Sequence, residues 1–320
     1  MPLEVDKEFA AAAAPAKQWL DSQPKMPFGD VQARRDIFGV YTSMIDRTIP
    51  DTVEHDILHV TTSDGYQIPV WRYKGKQNKH SPENPGPAVI HMHAGGYICC
   101  GPEIAVPNLT QFAAQTDVDF FSVNYRKAPE NKFPTASEDC WTVLKWVMDN
   151  AQKLGVDKTR VAVMGESAGG GLAAALTIMA RDRKLNPPLA RQILAYPMLD
   201  DRSTDKVPPG TYSIWDEIDT DTAWEAYLGP GKRGADEVSV YAAPGRMDDV
   251  TGLPPLYMDV GQLDTFFHDD FKYASKFVAA GIETEFHVYP GLPHAYEGMI
   301  RELPVGKQFI DNRMRQLKMI

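Results

Sequence analysis

The sequence predicts an α/β fold in which a mostly parallel central sheet has helices on both faces and carries a helical cap. Three observations lead to this prediction. From residue 88 onwards, short apolar segments alternate with longer segments whose apolar residues recur at helical spacing. The short segments are almost continuously apolar, which is typical of parallel strands buried on both faces. Two stretches, residues 1–50 and 201–244, break the alternation and are therefore assigned to the cap.

The amino-terminal part of the chain predicts the first cap helices. The stretches "EFAAAAAPAKQWL" and "VQARRDIFGVYTSMI" have apolar residues at helical spacing, and Pro15 is expected to interrupt or end the first helix. Beyond them, alternating hydrophobicity around the pair Asp64-Gly65 predicts a β-hairpin over residues 56–75. The predicted division is cap helices at 1–50, an α/β core at 51–200 and 245–320, and a cap insertion at 201–244.

The remaining core elements follow in order along the chain. Strands are predicted in "AVIHMHAGG", "DFFSVNY", "RVAVMGES", "RQILAYPML", "PPLYMDVGQLD" and "TEFHVY". Thr135 and Glu138 have the spacing of a capping box, which predicts the start of a helix. Gly281 is expected to end the helix before the last strand, and a terminal helix follows that strand.

Composition narrows the classes of partner. The net charge of −10 argues against nucleic acid or an anionic membrane as the main partner. The three cysteines, two of them adjacent, do not form a disulfide framework and fit a reducing compartment. A signal-peptide pattern, a run of 18 apolar residues and a metal-binding Cys/His pattern are all missing from the sequence. We therefore expect a cytoplasmic protein without stable membrane insertion or a bound metal ion.

The stretch "VAVMGESAGGG" points to a nucleophile. A predicted strand ends where Ser167 stands between Gly165 and Gly169, and a predicted helix follows. Small residues on both sides allow a sharp strand-to-helix turn that presents the serine above the sheet, at a helix amino terminus that favours developing negative charge. The alternative is a glycine-rich packing turn with an idle serine. The strand before and the helix after favour the nucleophile.

A serine needs a base, and His294 is the candidate. It lies in the loop after the last strand, and loops at the carboxyl ends of parallel strands collect functional residues. His268 is the rival, and we expect it to be a loop or helix-start residue. The other histidines are interpreted as strand-face, surface or hairpin residues: His55, His59, His80, His91 and His287.

The acid that orients the imidazole is predicted to be Asp264, because it follows a strand and lies between nucleophile and base in the chain. Asp259 falls inside the strand, and Asp269 and Asp270 are interpreted as amino-terminal caps of the next helix.

The segment His93–Gly96 predicts the donors for an oxyanion. Glycines at a strand exit allow backbone N–H groups to turn toward a site, so Gly95 and Gly96, with Ala168 after the nucleophile, are the candidate donors. The same glycines could serve a tight turn, and the two roles are compatible. The block Tyr125–Glu130 is expected to shape the turn beneath this loop.

Taken together, these blocks resemble the hormone-sensitive-lipase-like branch of the α/β-hydrolase superfamily. The blocks are His93-Ala-Gly-Gly96, Asn124–Cys140, Gly165–Gly170, Gly261–Asp270 and Pro290–Tyr296. The resemblance implies a carboxylesterase with a Ser-His-Asp triad, an oxyanion hole, a helical cap and no cofactor. Ala94 stands where the family has the first glycine of His-Gly-Gly-Gly. Glu166 and His268 also depart from its pattern, and neither has a role that the sequence explains.

The predicted function is therefore hydrolysis of short-chain or aromatic soluble esters, small molecules that would enter a pocket under the cap. Candidate pocket walls, each of which could instead be simple packing, are Tyr97, Tyr212, Trp215 and Trp224. Two alternatives use the same fold: a lactonase or specialised secondary-metabolite esterase, and a small-molecule receptor without catalysis. A peptidase or amidase is disfavoured because 320 residues leave little room for extra domains. A homodimer through an edge strand or the carboxyl-terminal helix is compatible with the pattern.

Overall fold

The computed structural model describes residues 3–208 and 211–320. Its strands are β1 (Val53–Thr61), β2 (Gln67–Gly75), β3 (Gly86–Met92), β4 (Asp119–Val123), β5 (Val156–Glu166), β6 (Gln192–Ala195), β7 (Leu256–Gly261) and β8 (Thr284–Tyr289). Its helices are α1 (Lys7–Asp21), α2 (Val31–Ser43), α3 (Val106–Gln115), α4 (Thr135–Asp149), α5 (Ala151–Leu154), α6 (Ala168–Asp182), α7 (Glu217–Leu228), α8 (Phe267–Ala279), α9 (Glu297–Ile300) and α10 (Pro304–Leu317).

The strands form one sheet in the order β1-β2-β4-β3-β5-β6-β7-β8. The pairs β1/β2 and β2/β4 are antiparallel, and every other neighbouring pair is parallel. The predicted mostly parallel sheet is therefore confirmed, and so is the hairpin around Asp64-Gly65, which joins β1 to β2. Strand β5 lies near the middle of the sheet, so the residue that follows it is flanked by strands on both sides.

Both faces of the sheet are buried, as the continuous apolar strands predict. Successive strand residues enter opposite apolar clusters: Val89 and Ala162 belong to one, Ile90 and Val163 to the other. Helices α4, α6 and α8 contribute to the cluster with Ile90, and α3 and α10 to the cluster with Val89. This two-sided packing fixes the strand ends, and hence the loops that extend from them.

Two local predictions are wrong, and one helix, α3, has no counterpart among the predicted elements. Helix α1 continues through Pro15, because Phe9 and Ala13 before the proline and Leu20 after it pack against one apolar cluster. Helix α4 begins at Thr135, but its N-cap residue is Pro134 and no side chain caps it. The Glu138 carboxylate instead pairs with an arginine, Arg183, on α6's carboxyl-terminal side.

The stretches assigned to the cap contact each other. Helix α2 packs against α7, and the buried Arg34 guanidinium lies 2.9 Å from a buried carboxylate oxygen of Asp219. Burial, followed by the nearby charge of Asp216, raises the pKa of Asp219 to about 7 despite that arginine. In the described part of residues 201–244, α7 is the only α-helix. The division into cap and core stays a prediction.

Among the described residues, no helix is both long enough and apolar enough to cross a bilayer.

Candidate active site

Ser167 lies at the turn between β5 and α6, in a backbone conformation that L-residues rarely adopt. Its φ and ψ are 54° and −121°, and its N–H donates to the Ala195 carbonyl at 2.9 Å. The flanking glycines are required by contact: a Cβ on Gly165 would lie 2.2 Å from the Gly169 carbonyl oxygen, and one on Gly169 would lie 2.0 Å from that of Met92. The small residues seen in the sequence thus let two strands and a helix meet at the serine.

The side chains of Ser167, His294 and Asp264 form a continuous hydrogen-bonded chain. His294 Nε2 lies 2.9 Å from Ser167 Oγ, and His294 Nδ1 lies 2.7 Å from Asp264 Oδ2. The other carboxylate oxygen, Oδ1, accepts from the Phe266 N–H at 2.9 Å, which fixes the carboxylate orientation. With its proton on Nδ1, the imidazole donates a hydrogen bond to Asp264 and accepts one from the Ser167 hydroxyl at Nε2. It is therefore placed to take the hydroxyl proton. The structure therefore brings the three predicted residues together.

Aromatic rings confine the His294 imidazole. Tyr196 and Phe266 approach it edge-on, with centroid distances of 4.8 and 4.9 Å. His294 and Ser167 are each 4% exposed, and Asp264 is 5% exposed. Such burial excludes water and strengthens each electrostatic contact within the chain.

Asp259, the acid set aside as a strand residue, belongs to a second buried network. Its carboxylate accepts from both Nε and Nη2 of Arg313 on α10, at 2.8 and 2.6 Å. The same guanidinium donates to Glu297 at 2.9 Å, and Tyr296 donates to Asp259 at 3.1 Å. Tyr296 and Glu297 follow His294 closely in the chain. Arg313 therefore holds the histidine loop against β7.

The segment His93–Tyr97, called the oxyanion loop from here on, turns through left-handed backbone conformations. The φ values of Gly95, Gly96 and Tyr97 are 128°, 56° and 64°. Among the described residues, the N–H groups of Gly95, Gly96 and Ala168 have no hydrogen-bond acceptor, so they are free to serve a ligand. Their assignment as oxyanion donors stays a prediction.

A buried histidine supports this loop from beneath. His93 stacks on Tyr125 with a centroid distance of 4.3 Å, and the Tyr125 hydroxyl donates to the His93 carbonyl at 2.9 Å. Complete burial holds the pKa of His93 well below its usual range, so the ring is neutral. In the same block, Arg126 pairs with Asp139 and Asp64, and Glu130 pairs with Arg35 of α2. These ion pairs connect the Tyr125–Glu130 turn to the β1–β2 hairpin, to α4 and to α2.

The interpretation of His91 as a surface or hairpin residue is wrong. His91 is fully buried in β3, where its Nε2 lies 2.9 Å from Glu166 Oε2 and its Nδ1 lies 2.8 Å from Ser122 Oγ. The His80 side chain is also buried, 3.1 Å from the Asp117 carboxylate. The apolar residues on both sides of the histidine in "AVIHM" were the available signal for burial at His91.

The acidic and basic residues after Asp264 lie outside the hydrogen-bonded chain of Ser167, His294 and Asp264. His268 Nδ1 lies 2.6 Å from Asp205 Oδ2 in the segment assigned as cap insertion, and its side chain is exposed. Asp269 and Asp270 lie in the first turn of α8, but neither caps it with a side-chain hydrogen bond, since the N-cap is Phe266. Burial and the neighbouring Asp264 raise the pKa of Asp270 well above its usual range.

The four aromatic residues proposed as pocket walls occupy different environments. Tyr97 and Trp224 are fully buried and pack with Tyr227, which corresponds to the packing alternative. Tyr212 lies 6.4 Å from the Phe9 ring of α1. Trp215 covers the oxyanion loop so closely that a Cβ on Gly96 would lie 2.1 Å from its indole. Of the four, Trp215 is the one that packs against Gly96, and the assignment of these residues as pocket walls stays a prediction.

Within residues 3–208 and 211–320, no group of three or more His, Cys, Asp or Glu side chains is arranged to hold a metal ion.

Comparison with known proteins relates the fold and the site to a group of enzymes. Residues 89–298 match the family described as alpha/beta hydrolase fold. The carboxylesterase NlhH of Mycobacterium tuberculosis is 32% identical over 235 residues, covering 72% of this chain and 73% of that protein. The ethyl acetate hydrolase of Pseudomonas putida is 29% identical over 251 residues, covering 78% and 77%. The structure of a bacterial heroin esterase superposes with a TM-score of 0.86 at 30% identity, covering 98% and 97%.

Proposed function

This chain belongs to the α/β-hydrolase family, in its hormone-sensitive-lipase-like carboxylesterase branch, and we propose that it hydrolyses short-chain or aromatic soluble esters through an acyl-enzyme on Ser167. One observation carries the proposal: the unbroken chain from Ser167 Oγ to His294 Nε2, and from His294 Nδ1 to Asp264 Oδ2. In this arrangement a histidine can accept the serine proton while a buried carboxylate stabilises the imidazolium that forms.

The proposed reaction begins with attack of Ser167 Oγ on the ester carbonyl as His294 Nε2 takes the hydroxyl proton. The N–H groups of Gly95, Gly96 and Ala168 would donate to the oxyanion, at the amino terminus of α6 where the helix dipole favours negative charge. His294 then protonates the leaving alcohol. A water molecule, deprotonated by the same histidine, attacks the acyl-enzyme and releases the acid.

The surroundings of Ser167 support small substrates. The serine is 4% exposed, and Trp215 packs over Gly96 beside it, so a long acyl chain would have to displace part of the cap. The similarity to a protein named ethyl acetate hydrolase is consistent with this preference. A lactone would react by the same steps, because its ring is closed by an ester bond. The intact chain of three side chains favours hydrolysis over ligand binding without catalysis.

The test is hydrolysis of p-nitrophenyl esters from acetate to decanoate, together with simple lactones, by the unaltered protein and Ser167→Ala. We expect turnover that falls with acyl length and vanishes in Ser167→Ala. Ser275→Ala is the matched control, because this exposed serine donates only to the Lys272 carbonyl on α8. Intact mass after a rapid quench should reveal an acyl group on the unaltered protein and none on Ser167→Ala. Turnover that persists in purified Ser167→Ala would contradict the proposal.

A further inference from the structure

Two adjacent cysteines, Cys99 and Cys100, follow the oxyanion loop and have no part in the proposed reaction. Their sulfur atoms are 3.7 Å apart, with the Cys100 thiol donating to the Cys99 sulfur. The Cys99 thiol donates in turn to the Gly95 carbonyl oxygen at 3.2 Å. That oxygen also accepts the N–H groups of Ile98 and Cys99. The two thiols thus form a chain that ends on an oxyanion-loop glycine.

The two thiols differ in access to solvent. Cys99 is 3% exposed, whereas Cys100 is half-buried, with a left-handed φ of 63°. Interaction with the neighbouring Cys100 thiol, together with burial, raises the pKa of the Cys99 thiol well above its usual range. Lys127, whose pKa burial lowers, donates to the Asn124 side chain and the Tyr125 carbonyl, and its ammonium interacts electrostatically with both sulfurs. A nearby cation stabilises the negative charge that develops on sulfur during thiol exchange.

We propose that Cys99 and Cys100 form an oxidisable dithiol site, which a low-molecular-weight disulfide closes to a Cys99–Cys100 disulfide, and that closure disturbs the oxyanion loop. The first half is independent of the esterase activity, and the second half rests on the proposed function.

The exchange proceeds in two balanced steps. The more exposed Cys100 attacks one sulfur of the small disulfide, forms a mixed disulfide and releases one small thiol. Cys99, 3.7 Å away, then attacks the Cys100 sulfur and expels the second small thiol. Two electrons pass from the protein thiols to the small disulfide, and the two thiol protons end on the two released thiols. Cys140, fully buried on α4, takes no part.

Closure should be readily reversible. Adjacent Cα atoms are about 3.8 Å apart across a trans peptide, below the separation of about 4.4–6.8 Å that relaxed disulfides adopt. A disulfide between neighbouring residues is therefore strained, and strained disulfides are easily reduced.

Formation of the Cys99–Cys100 disulfide should also displace Gly95 directly. Bringing the sulfurs to bonding distance removes the S–H donor from the Gly95 carbonyl. The backbones of the two residues are already in contact, since a Cβ on Gly95 would lie 2.2 Å from the Cys99 carbonyl oxygen. A shift at Cys99 must therefore move Gly95, and small displacements of catalytic donors are costly in rate.

The experiment incubates the folded, reduced protein with excess oxidised glutathione and then denatures it in N-ethylmaleimide. All three cysteines should be labelled before oxidation, and only Cys140 after it. We expect kcat for a short ester to fall about tenfold on oxidation and to recover with dithiothreitol. Cys99→Ser should keep one glutathione on Cys100, Cys100→Ser should gain none, and Cys140→Ser should behave like the unaltered protein.

Each result bears on a separate part of the proposal. If the unaltered protein keeps all three thiols, or stops at a stable glutathione adduct, the dithiol site is wrong. If the disulfide forms but kcat is unchanged, the link to the oxyanion loop is wrong. If reduced protein hydrolyses no ester while the thiols still close, the proposed function fails and the dithiol site stands.

Discussion

The imidazole of His91 lies 2.9 Å from the carboxylate of Glu166, the residue directly before Ser167, and both side chains are buried. The His91 Nε2–H donates to Glu166. In this tautomer Nδ1 accepts a hydrogen bond from the hydroxyl of Ser122 on β4. This relationship joins three neighbouring strands immediately below the serine. It also explains Glu166, which departs from the family pattern. The glutamate side chain is long enough to accept the hydrogen bond of the buried histidine.

Glu166→Ala should lower the free energy of unfolding by about 1–3 kcal/mol, because it leaves the buried His91 N–H without an acceptor. Urea unfolding at neutral pH measures this. Glu166→Gln retains an acceptor oxygen, so its loss should be smaller. Equal losses for the two variants would argue that the negative charge of the carboxylate, which both variants lack, and not an acceptor oxygen for His91, explains the effect.

Asp264→Asn should lower kcat by about 10⁴-fold, the scale seen when an amide replaces a triad carboxylate, because the imidazole then loses its correct tautomer and orientation. Steady-state kinetics with a p-nitrophenyl ester measure the loss. The matched control is Asp205→Asn, which removes the partner of the rival base His268. It should change kcat by less than about threefold, since a largely exposed pair contributes little. A large loss in the control would point to His268.

Gly96→Ala should lower kcat/KM by about 10²-fold. The new methyl group meets the Trp215 indole, and alanine is strained at a φ of 56°. Combining it with Trp215→Leu removes the steric part, so the double variant should recover part of the loss relative to Trp215→Leu alone. Strictly additive effects would indicate that the indole does not press on Gly96.

Arg313→Met should destabilise the fold by about 3–5 kcal/mol, because it leaves the buried carboxylates of Asp259 and Glu297 without their cation. Arg315→Met is the control on the same helix: Arg315 pairs with Glu285 at the surface, and its loss should cost less than about 1 kcal/mol. Urea unfolding measures both. A small loss for Arg313→Met would mean that the histidine loop does not depend on this ion pair.

Asp269→Asn should remove a pH dependence of stability. Burial, followed by the charge of Asp200, raises the pKa of Asp269 to about 6. The folded state therefore holds this proton more tightly than the unfolded chain, whose carboxyl has a pKa of about 3.9. The stabilisation is complete below about pH 4 and is lost as pH rises through 6, by about 3 kcal/mol in all. The free energy of unfolding should be measured at pH 4.5 and at pH 7 for both proteins. Its change between the two pH values should be smaller for Asp269→Asn than for the unaltered chain.

The sequence revealed the candidate triad because each member leaves a local mark. Ser167 stands between glycines at a strand-to-helix turn, and Asp264 and His294 follow strands in the expected order. The contacts that support them leave no such mark. His91 and Glu166 are 75 residues apart and meet only because β3 lies beside β5. Arg313 and Asp259, 54 residues apart, meet only through the docking of α10. Such pairs depend on strand order and helix packing, which periodicity does not specify.

The order of the triad residues along the chain determines how late in synthesis the site can be completed. Ser167 lies near the middle of the sequence, whereas Asp264, His294 and the Arg313 that secures the histidine loop all lie downstream. During synthesis the serine is complete well before its partners exist. On the proposed assignment, a nascent chain or a fragment ending before residue 294 carries an inert nucleophile, and hydrolysis becomes available only when the last strand and helix have been made and have docked.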